Sequence, residues 1–268
     1  MVTVAKYASL LDKLGLSTLA DVKAFRGELI KDHKGRRDIF RIRAVDADGV
    51  GRVLFLKRCW KPYRKDGLAT FLRHGKVWSV SRQEWENSRA LEAAGLRTAG
   101  LVAYGEECGP FWEHFSFILT EAAEGSQTVE QFLRTCVEPA RRRRVFAALA
   151  AEIRRMHDAG LASPDLFTRH VFVDETAESA RFCLIDMARL DRRRPLPDRM
   201  RARDLAALNI TAPMRDVSAK ERIRFLRDYR GHVDRGLISQ VRERVEYLLR
   251  RRKFRGFSGT GAARVVPA

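Results

Sequence analysis

The 268-residue chain has little cysteine: four, at positions 59, 108, 136 and 183, far apart, with no C-x-x-C pair and no histidine at zinc-ligand spacing. Neither a disulfide framework nor a structural zinc is expected from that distribution, and a reducing compartment is the default. Long hydrophobic runs are missing as well, since none approaches the roughly 20 residues that cross a bilayer. The N-terminal MVTVAKYASLLDK has neither the unbroken apolar core nor the small-residue cleavage site of a signal peptide. A cytoplasmic protein is therefore expected. No internal repeat is present, and GTGAAR near the C-terminus is not a phosphate loop, because no strand precedes it and too little chain follows for a helix.

Acidic residues are the other shortage: 34 Asp and Glu against 52 Lys and Arg leave a formal net charge of +18. Such a surface attracts polyanions, whether nucleic acid, anionic lipid headgroups or phosphorylated small molecules, without choosing among them. Much of the excess lies in RRRR (141 to 144), RRR (192 to 194) and RRRKFR (250 to 255), and two of these runs adjoin helical patterns and read as solvated faces. No helix-turn-helix, zinc-finger or RNP signature accompanies them, so no specific nucleic-acid partner is expected.

What is present is enough apolar residue, 45%, to fill a sizeable core. Residues 8 to 25 carry a broken helical period in which Leu16-Ser17-Thr18 reads as a stop followed by a new cap, giving one or two short helices. DIFRIRAV (38 to 45) and GRVLFLKR (51 to 58) flank the turn DADG and predict a hairpin, with ELIKDH a further strand before it. SRQEWENSRALEAAGL (81 to 96) predicts a helix stopped at Gly95, and HFSFILTEA (114 to 122) a buried strand. The polar EGSQ that follows marks a lobe boundary. Beyond it, Val145, Leu149, Ile153 and Met156 recur at helical spacing before Gly160, and RFCLID predicts a second strand of a small hairpin. Further helices are expected near 202 to 210, 219 to 230 and 238 to 252, then a disordered Gly-rich tail.

Phosphoryl transfer asks little of a protein: a cation on the phosphates, carboxylates for magnesium and a base to orient the acceptor hydroxyl. Lys57 ends the strand FLKR, where an ammonium can reach a nucleotide's phosphates. Glu84 on the next helix can pair with it, although Ser81-x-x-Glu84 equally fits a capping box. Asp165 and His170, five residues apart on a short turn, match the spacing of base and metal ligand in H-R-D-x-x-x-x-N, with imidazole in place of the amide. The ordinary alternative is a loop cap and a core histidine. Asp186 closes the apolar strand RFCLID, where a carboxylate needs a reason such as a metal ion.

Around these positions the chain resembles the Kdo/WaaP lipopolysaccharide kinases, from about Gly35 to about residue 250. SRQEWENSRALEAAGLRTAGLVAYGEE is similar to the family's R-x-E-W segment and FSFILTEA to the strand leading to its hinge. MHDAGLASPDLFTRHVFV is similar to its M-H-x-A-G-[VI]-x-H-R-D-x-Y-x-x-H-F loop and LIDMARL to its I-D-L-H-R segment. RARDLAALNI and KERIRFLRDY resemble its later helices.

The resemblance implies an α+β, bilobal protein-kinase-like fold, with a β-rich lobe over 1–123, a mostly helical lobe over 124–252 and a tail over 253–268. It implies a kinase for a sugar hydroxyl of the lipopolysaccharide inner core or a similar anionic glycolipid, using ATP and Mg2+, at the cytoplasmic face of the inner membrane. Asp165 takes the place of the base, Lys57 that of the phosphate-binding lysine, Glu84 its partner, and His170 with Asp186 the magnesium ligands. Gly35 corresponds to what remains of a glycine-rich loop and Asp204 to an aspartate supporting the catalytic loop. The departure is Ser163-Pro164, where the family has His-Arg, and proline can stiffen the turn in their stead. That departure keeps open a nucleotide-binding module without transfer, and kinase folds also accept hydroxyl side chains of proteins.

Overall fold

The structure is a computed structural model that describes residues 1–60, 62, 68, 70–72, 74–125, 127–176, 178–213 and 215–251. The Gly-rich tail expected to be disordered lies outside these residues. Contacts divide the chain into two units, Met1–Ala90 with Ala99–Ala123, and Leu91–Thr98 with Glu124–Ala268. The sequence predicts an uninterrupted first lobe over 1–123; the segment Leu91–Thr98 instead belongs to the second unit, because its strand pairs there.

The first unit is built on a six-stranded antiparallel sheet, ordered β1-β6-β7-β4-β3-β2. Its strands are β1 (Val2–Thr3), β2 (Glu28–Asp32), β3 (Arg37–Val45), β4 (Gly51–Cys59), β6 (Leu101–Cys108) and β7 (Glu113–Glu121). The β3–β4 hairpin closes with Val45 opposite Gly51 across DADG, as its turn residues predict. Two short helices, α1 (Ala8–Lys13) and α2 (Leu19–Ala24), precede β2. Thr18 caps α2 through a capping box with Asp21. Leu10, Leu11 and Val22 of these helices join Leu54, Leu56, Phe117 and Leu119 of the sheet in one buried cluster. Fully burying side chains of this size stabilises the fold by about 1.5–3 kcal/mol each.

Side chains alternate across a strand. Leu54, Leu56 and Arg58 of β4 are buried toward the α1–α2 cluster, so Lys57 faces the other side of the sheet, opposite Ile118 of β7. Ile118 packs there with Trp85 of the helix α3 (Val80–Ala93). Of the adjacent cations in FLKR, only Lys57 thus faces α3. Arg58 is spent on structure: it grips Asp38 through two bonds of 2.8 Å and donates to the carbonyls of Val22, Lys23 and Phe25 at the end of α2.

The second unit carries a four-stranded sheet, β5-β11-β10-β8, formed by β5 (Arg97–Thr98), β8 (Gln127–Thr128), β10 (Val171–Glu175) and β11 (Ala180–Leu184). Its helices are α4 (Val129–Thr135), α5 (Pro139–Asp158), α6 (Asp198–Thr211), α7 (Ala219–Arg230) and α8 (Arg235–Leu249). Val145, Leu149, Ile153 and Met156 form the buried face of α5, as their spacing predicts. Arg142 corrects the solvated reading of RRRR. It is buried and donates to the carbonyls of Leu133, Cys136 and Asp216 while pairing with Glu221 at 2.7 Å, which ties α4, α5 and α7 together. All four cysteines are free.

Gly160 ends α5 with φ of +81°, and a Cβ there would lie 2.5 Å from the Arg193 carbonyl oxygen. Only glycine satisfies both the left-handed backbone and that approach. It lets a two-stranded ribbon, β9 (Leu161–Ala162) with β12 (Asp191–Arg192), lead directly into Ser163.

Candidate active site

In the first unit, Lys57 Nζ donates to Glu84 Oε1 at 2.7 Å. The glutamate side chain is 9% exposed and the lysine 27%, so the pair is held largely away from water. The capping-box alternative for Glu84 does not hold. Ser79 is the residue whose hydroxyl accepts from a first-turn amide, that of Arg82, while Ser81 bonds Ser116 across to β7. Gly35 lies at the tip of the β2–β3 hairpin, where Lys34 and Gly35 both have positive φ and Arg36 N–H returns to the His33 carbonyl at 3.1 Å. Positive φ at both central residues is the pattern of a tight two-residue hairpin turn, and glycine adopts it without strain.

In the second unit the turn 163–170 is folded on itself and gripped by α6. Leu166 N–H bonds the Ser163 carbonyl, Phe167 N–H the Asp165 carbonyl and His170 N–H the Phe167 carbonyl, with Leu166 and Phe167 buried as anchors. Asp204 and Thr211 of α6, two helical turns apart, hold the two ends. The Asp204 carboxylate accepts from the Ser163 backbone N–H, and Thr211 exchanges bonds with Thr168, its hydroxyl accepting at 3.0 Å and its carbonyl accepting at 2.9 Å.

Asp204 is fully buried, so its remaining bonds matter. One oxygen accepts from Arg203 Nε at 2.9 Å, and the other lies 3.3 Å from His157 Nε2. A carboxylate only accepts, which makes Nε2 the protonated nitrogen and leaves Nδ1 to accept from the Tyr229 hydroxyl at 2.8 Å. Tyr229 in turn accepts from Arg201 at 3.1 Å, and burial pushes its phenol up from the usual value, keeping the hydroxyl protonated. Sequence inspection assigned no role to His157, Thr211 or Tyr229. The first and last sit in M-H-D-A-G and R-F-L-R-D-Y, yet nothing local signals that residues 72 positions apart meet over Asp204.

Asp165, His170 and Asp186 are brought together on this turn and its hairpin. His170 Nδ1 donates to the Asp165 carbonyl at 2.9 Å, because a carbonyl only accepts. Nε2 therefore carries the lone pair, which receives Arg169 Nε at 3.2 Å and lies 3.6 Å from Asp186 Oδ2. Burial lowers the His170 value, with the nearby Asp186 opposing it, so the ring stays neutral. Ile185 N–H bonds the His170 carbonyl and fixes the approach of the Asp186 segment, where Asp186 itself adopts φ of +59°. Asp165 meets a cation that sequence reading missed: Arg189 Nη1 is 3.2 Å from its Oδ2. The family's histidine position is taken by Ser163, fully buried, whose backbone rather than side chain makes the bond to Asp204.

A neutral imidazole beside a half-exposed carboxylate, once the Arg169 guanidinium on its Nε2 lone pair is displaced, suits a hard divalent ion that keeps water and phosphate oxygens as its other ligands. Among the described residues no group of three or more His, Cys, Asp or Glu side chains forms a closed metal cage.

The model of the lipopolysaccharide kinase (Kdo/WaaP) family matches residues 20–229. Lipopolysaccharide core heptose(I) kinase WaaP of Pseudomonas aeruginosa is 30% identical over 218 residues, covering 78% of each chain. Its Escherichia coli K12 counterpart is 24% identical over 234 residues, covering 84% of this chain and 86% of that one. A solved structure of WaaP in complex with acyl carrier protein superposes with a TM-score of 0.67 and 27% identity, over 92% of this chain and 98% of that chain. With a sheet-based unit, a helical unit and a match spanning most of its length, the chain belongs to the lipopolysaccharide kinase (Kdo/WaaP) family and has a kinase-like fold.

Proposed function

We propose that the chain is an ATP- and Mg2+-dependent kinase that phosphorylates a sugar hydroxyl of the lipopolysaccharide core, as a heptose in its relatives' names suggests. The observation that carries this reading is the convergence of Asp165, His170 and Asp186 on one turn and its hairpin, with the His170 tautomer set so that Nε2 faces the carboxylate. Asp165 orients the acceptor hydroxyl and takes its proton as the phosphoryl group transfers. Lys57, held by Glu84, would bind the nucleotide's phosphates, and Gly35, at its hairpin tip, would take the place of the glycine-rich loop. His170 and Asp186 would hold magnesium, which would supply neutralisation of phosphate charge. Asp204 keeps the turn in register.

Ser163-Pro164 does not argue against transfer on this geometry. The bond that anchors the loop to Asp204 comes from a backbone N–H, which serine supplies as well as histidine. The acceptor is expected at the cytoplasmic face of the inner membrane, and the acyl carrier protein bound by the solved relative is a candidate partner here too.

The test is incubation with ATP, magnesium and core glycolipids, followed by mass spectrometry to locate new phosphate. Transfer that persists undiminished in Asp186→Ala would sink the assignment. A nucleotide-binding module without transfer is the second reading, favoured by the Arg189 contact that occupies Asp165. It predicts a thermal shift with ATP and magnesium but no phosphorylated product from any core glycolipid.

A further inference from the structure

The first unit exposes apolar side chains where its elements turn. Leu68 and Leu72, helical and four residues apart, are 57% and 77% exposed, and Phe111 and Trp112 in the turn between β6 and β7 are 58% and 40% exposed. Turns ordinarily carry small or polar residues, so two outward aromatics at a Gly-Pro turn are out of place there. The two segments make one surface rather than scattered residues: the Phe71 ring meets Phe111 edge-on with centroids 6.2 Å apart, and Phe111 neighbours Trp112 at 6.4 Å. A contiguous exposed apolar patch of this kind marks an interaction site.

Its surroundings are basic. Lys76 is exposed just past Leu72, His74 stacks flat on Trp78 at 3.9 Å, and Arg82 lies over the same ring at 4.7 Å. The acids nearby are already engaged: Glu106 pairs with Arg82 at 3.0 Å, and the buried Glu113 accepts from Val80 N–H and Ser116. In sequence, residues 61–73 carry Lys61, Arg64, Lys65 and Arg73 against one acid, Asp66.

We propose that Leu68, Leu72, Phe111 and Trp112, with Lys76 beside them, form the face by which this chain docks on an anionic lipid bilayer. Protruding leucine and aromatic side chains enter the headgroup boundary, Trp and Phe being suited to that depth, while lysine meets the negative surface. Charge complementarity selects this occupant over a second copy of the chain, whose net charge of +18 would be brought against itself. The docking face extends the glycolipid reading, since it would deliver the chain to a membrane-held acceptor, but its binding needs neither ATP nor acceptor and is measured apart from transfer.

The experiment is flotation of the full chain with vesicles of phosphatidylcholine alone and of phosphatidylcholine mixed with phosphatidylglycerol, without nucleotide. The intact chain is expected to float only with the mixed vesicles. Leu72→Glu and Phe111→Glu each lower the bound-to-free ratio by roughly tenfold or more, the scale of withdrawing one large apolar side chain from the boundary. Both variants should keep the wild-type melting temperature and transfer to a delipidated core oligosaccharide. Failure of the wild type to float overturns the proposal, as do glutamate variants that float like it. A concentration-dependent dimer that Phe111→Glu disperses while flotation is unaltered would assign the patch to a second copy and overturn it equally.

Discussion

At the scale of single residues, the chemistry rests on which atoms are left available. The Asp165 carbonyl is tied to His170 Nδ1 at 2.9 Å, while its carboxylate meets Arg189 Nη1, outside the turn, at 3.2 Å. Asp165→Asn is therefore expected to leave the loop folded and lower the rate of transfer by about 10²–10⁴, the usual worth of a positioned base, while magnesium–ATP still raises the melting temperature. A rate within a few-fold of wild type would remove Asp165 from the role of base. His170 gives a pH prediction with a definite sign. Burial lowers its folded-state value below the 6.5 of an ordinary histidine, so just under pH 6.5 the unfolded chain binds a proton that the folded chain does not. The stability this contributes is complete above pH 6.5 and is lost as pH falls through the folded value. Melting temperatures taken from pH 5 to 8, on the wild type and on His170→Asn, should show that the variant loses part of the decline on the acid side.

At the scale of elements, α6 is the brace of the candidate site. Asp204 serves the Ser163 N–H, Arg203 and His157 at once, all of them buried or partly buried. Asp204→Ala is expected to destabilise the second unit by about 3–5 kcal/mol, the cost of leaving a buried charged network without its partner, and to reduce kcat more than the nucleotide's apparent affinity. Tyr229→Phe removes only a donor to His157 and an acceptor for Arg201. Its cost should be nearer about 1–3 kcal/mol, that of an unsatisfied buried partner. Chemical denaturation of both variants, with kinetics beside it, checks the ranking. Glu84→Gln acts in the other unit: it keeps the shape of the side chain but not its charge, so Lys57 is less firmly held and the KM for ATP is expected to rise.

At the scale of the whole molecule, a nucleotide that binds the folded chain alone adds stability by mass action, about 2.7 kcal/mol at a hundred times its Kd. Magnesium–ATP should raise the melting temperature, and Asp186→Ala should abolish the part of the shift that depends on magnesium. No shift in the wild type would contradict both the kinase and the nucleotide-module readings. Much of the architecture was legible beforehand because its signals are local. DADG between alternating strands, Thr18 three residues before Asp21, and the α5 stripe ending on Gly160 each specify their element by near neighbours. Less legible were Leu91–Thr98, whose allegiance depends on β5 pairing with β11, and Arg142, which looks solvated in RRRR and is buried.

The sequence by itself determined the order and type of the chemical groups: Lys57 at a strand end, Glu84 on the following helix, then Asp165, His170 and Asp186 along a turn and hairpin. It did so because spacing, periodicity and turn residues are properties of adjacent positions. Tertiary structure alone decided that Glu84 pairs with Lys57 instead of capping its helix, since the alternation that turns Lys57 toward α3 becomes a contact only once α3 packs on that face. It likewise decided how Ser163, which stands where the family has histidine, is anchored. The acceptor of its N–H lies 41 residues away on α6 and is held there by a histidine and a tyrosine from two other helices. Bonds between distant positions have no local signature, because they form only when the helices that carry them are packed.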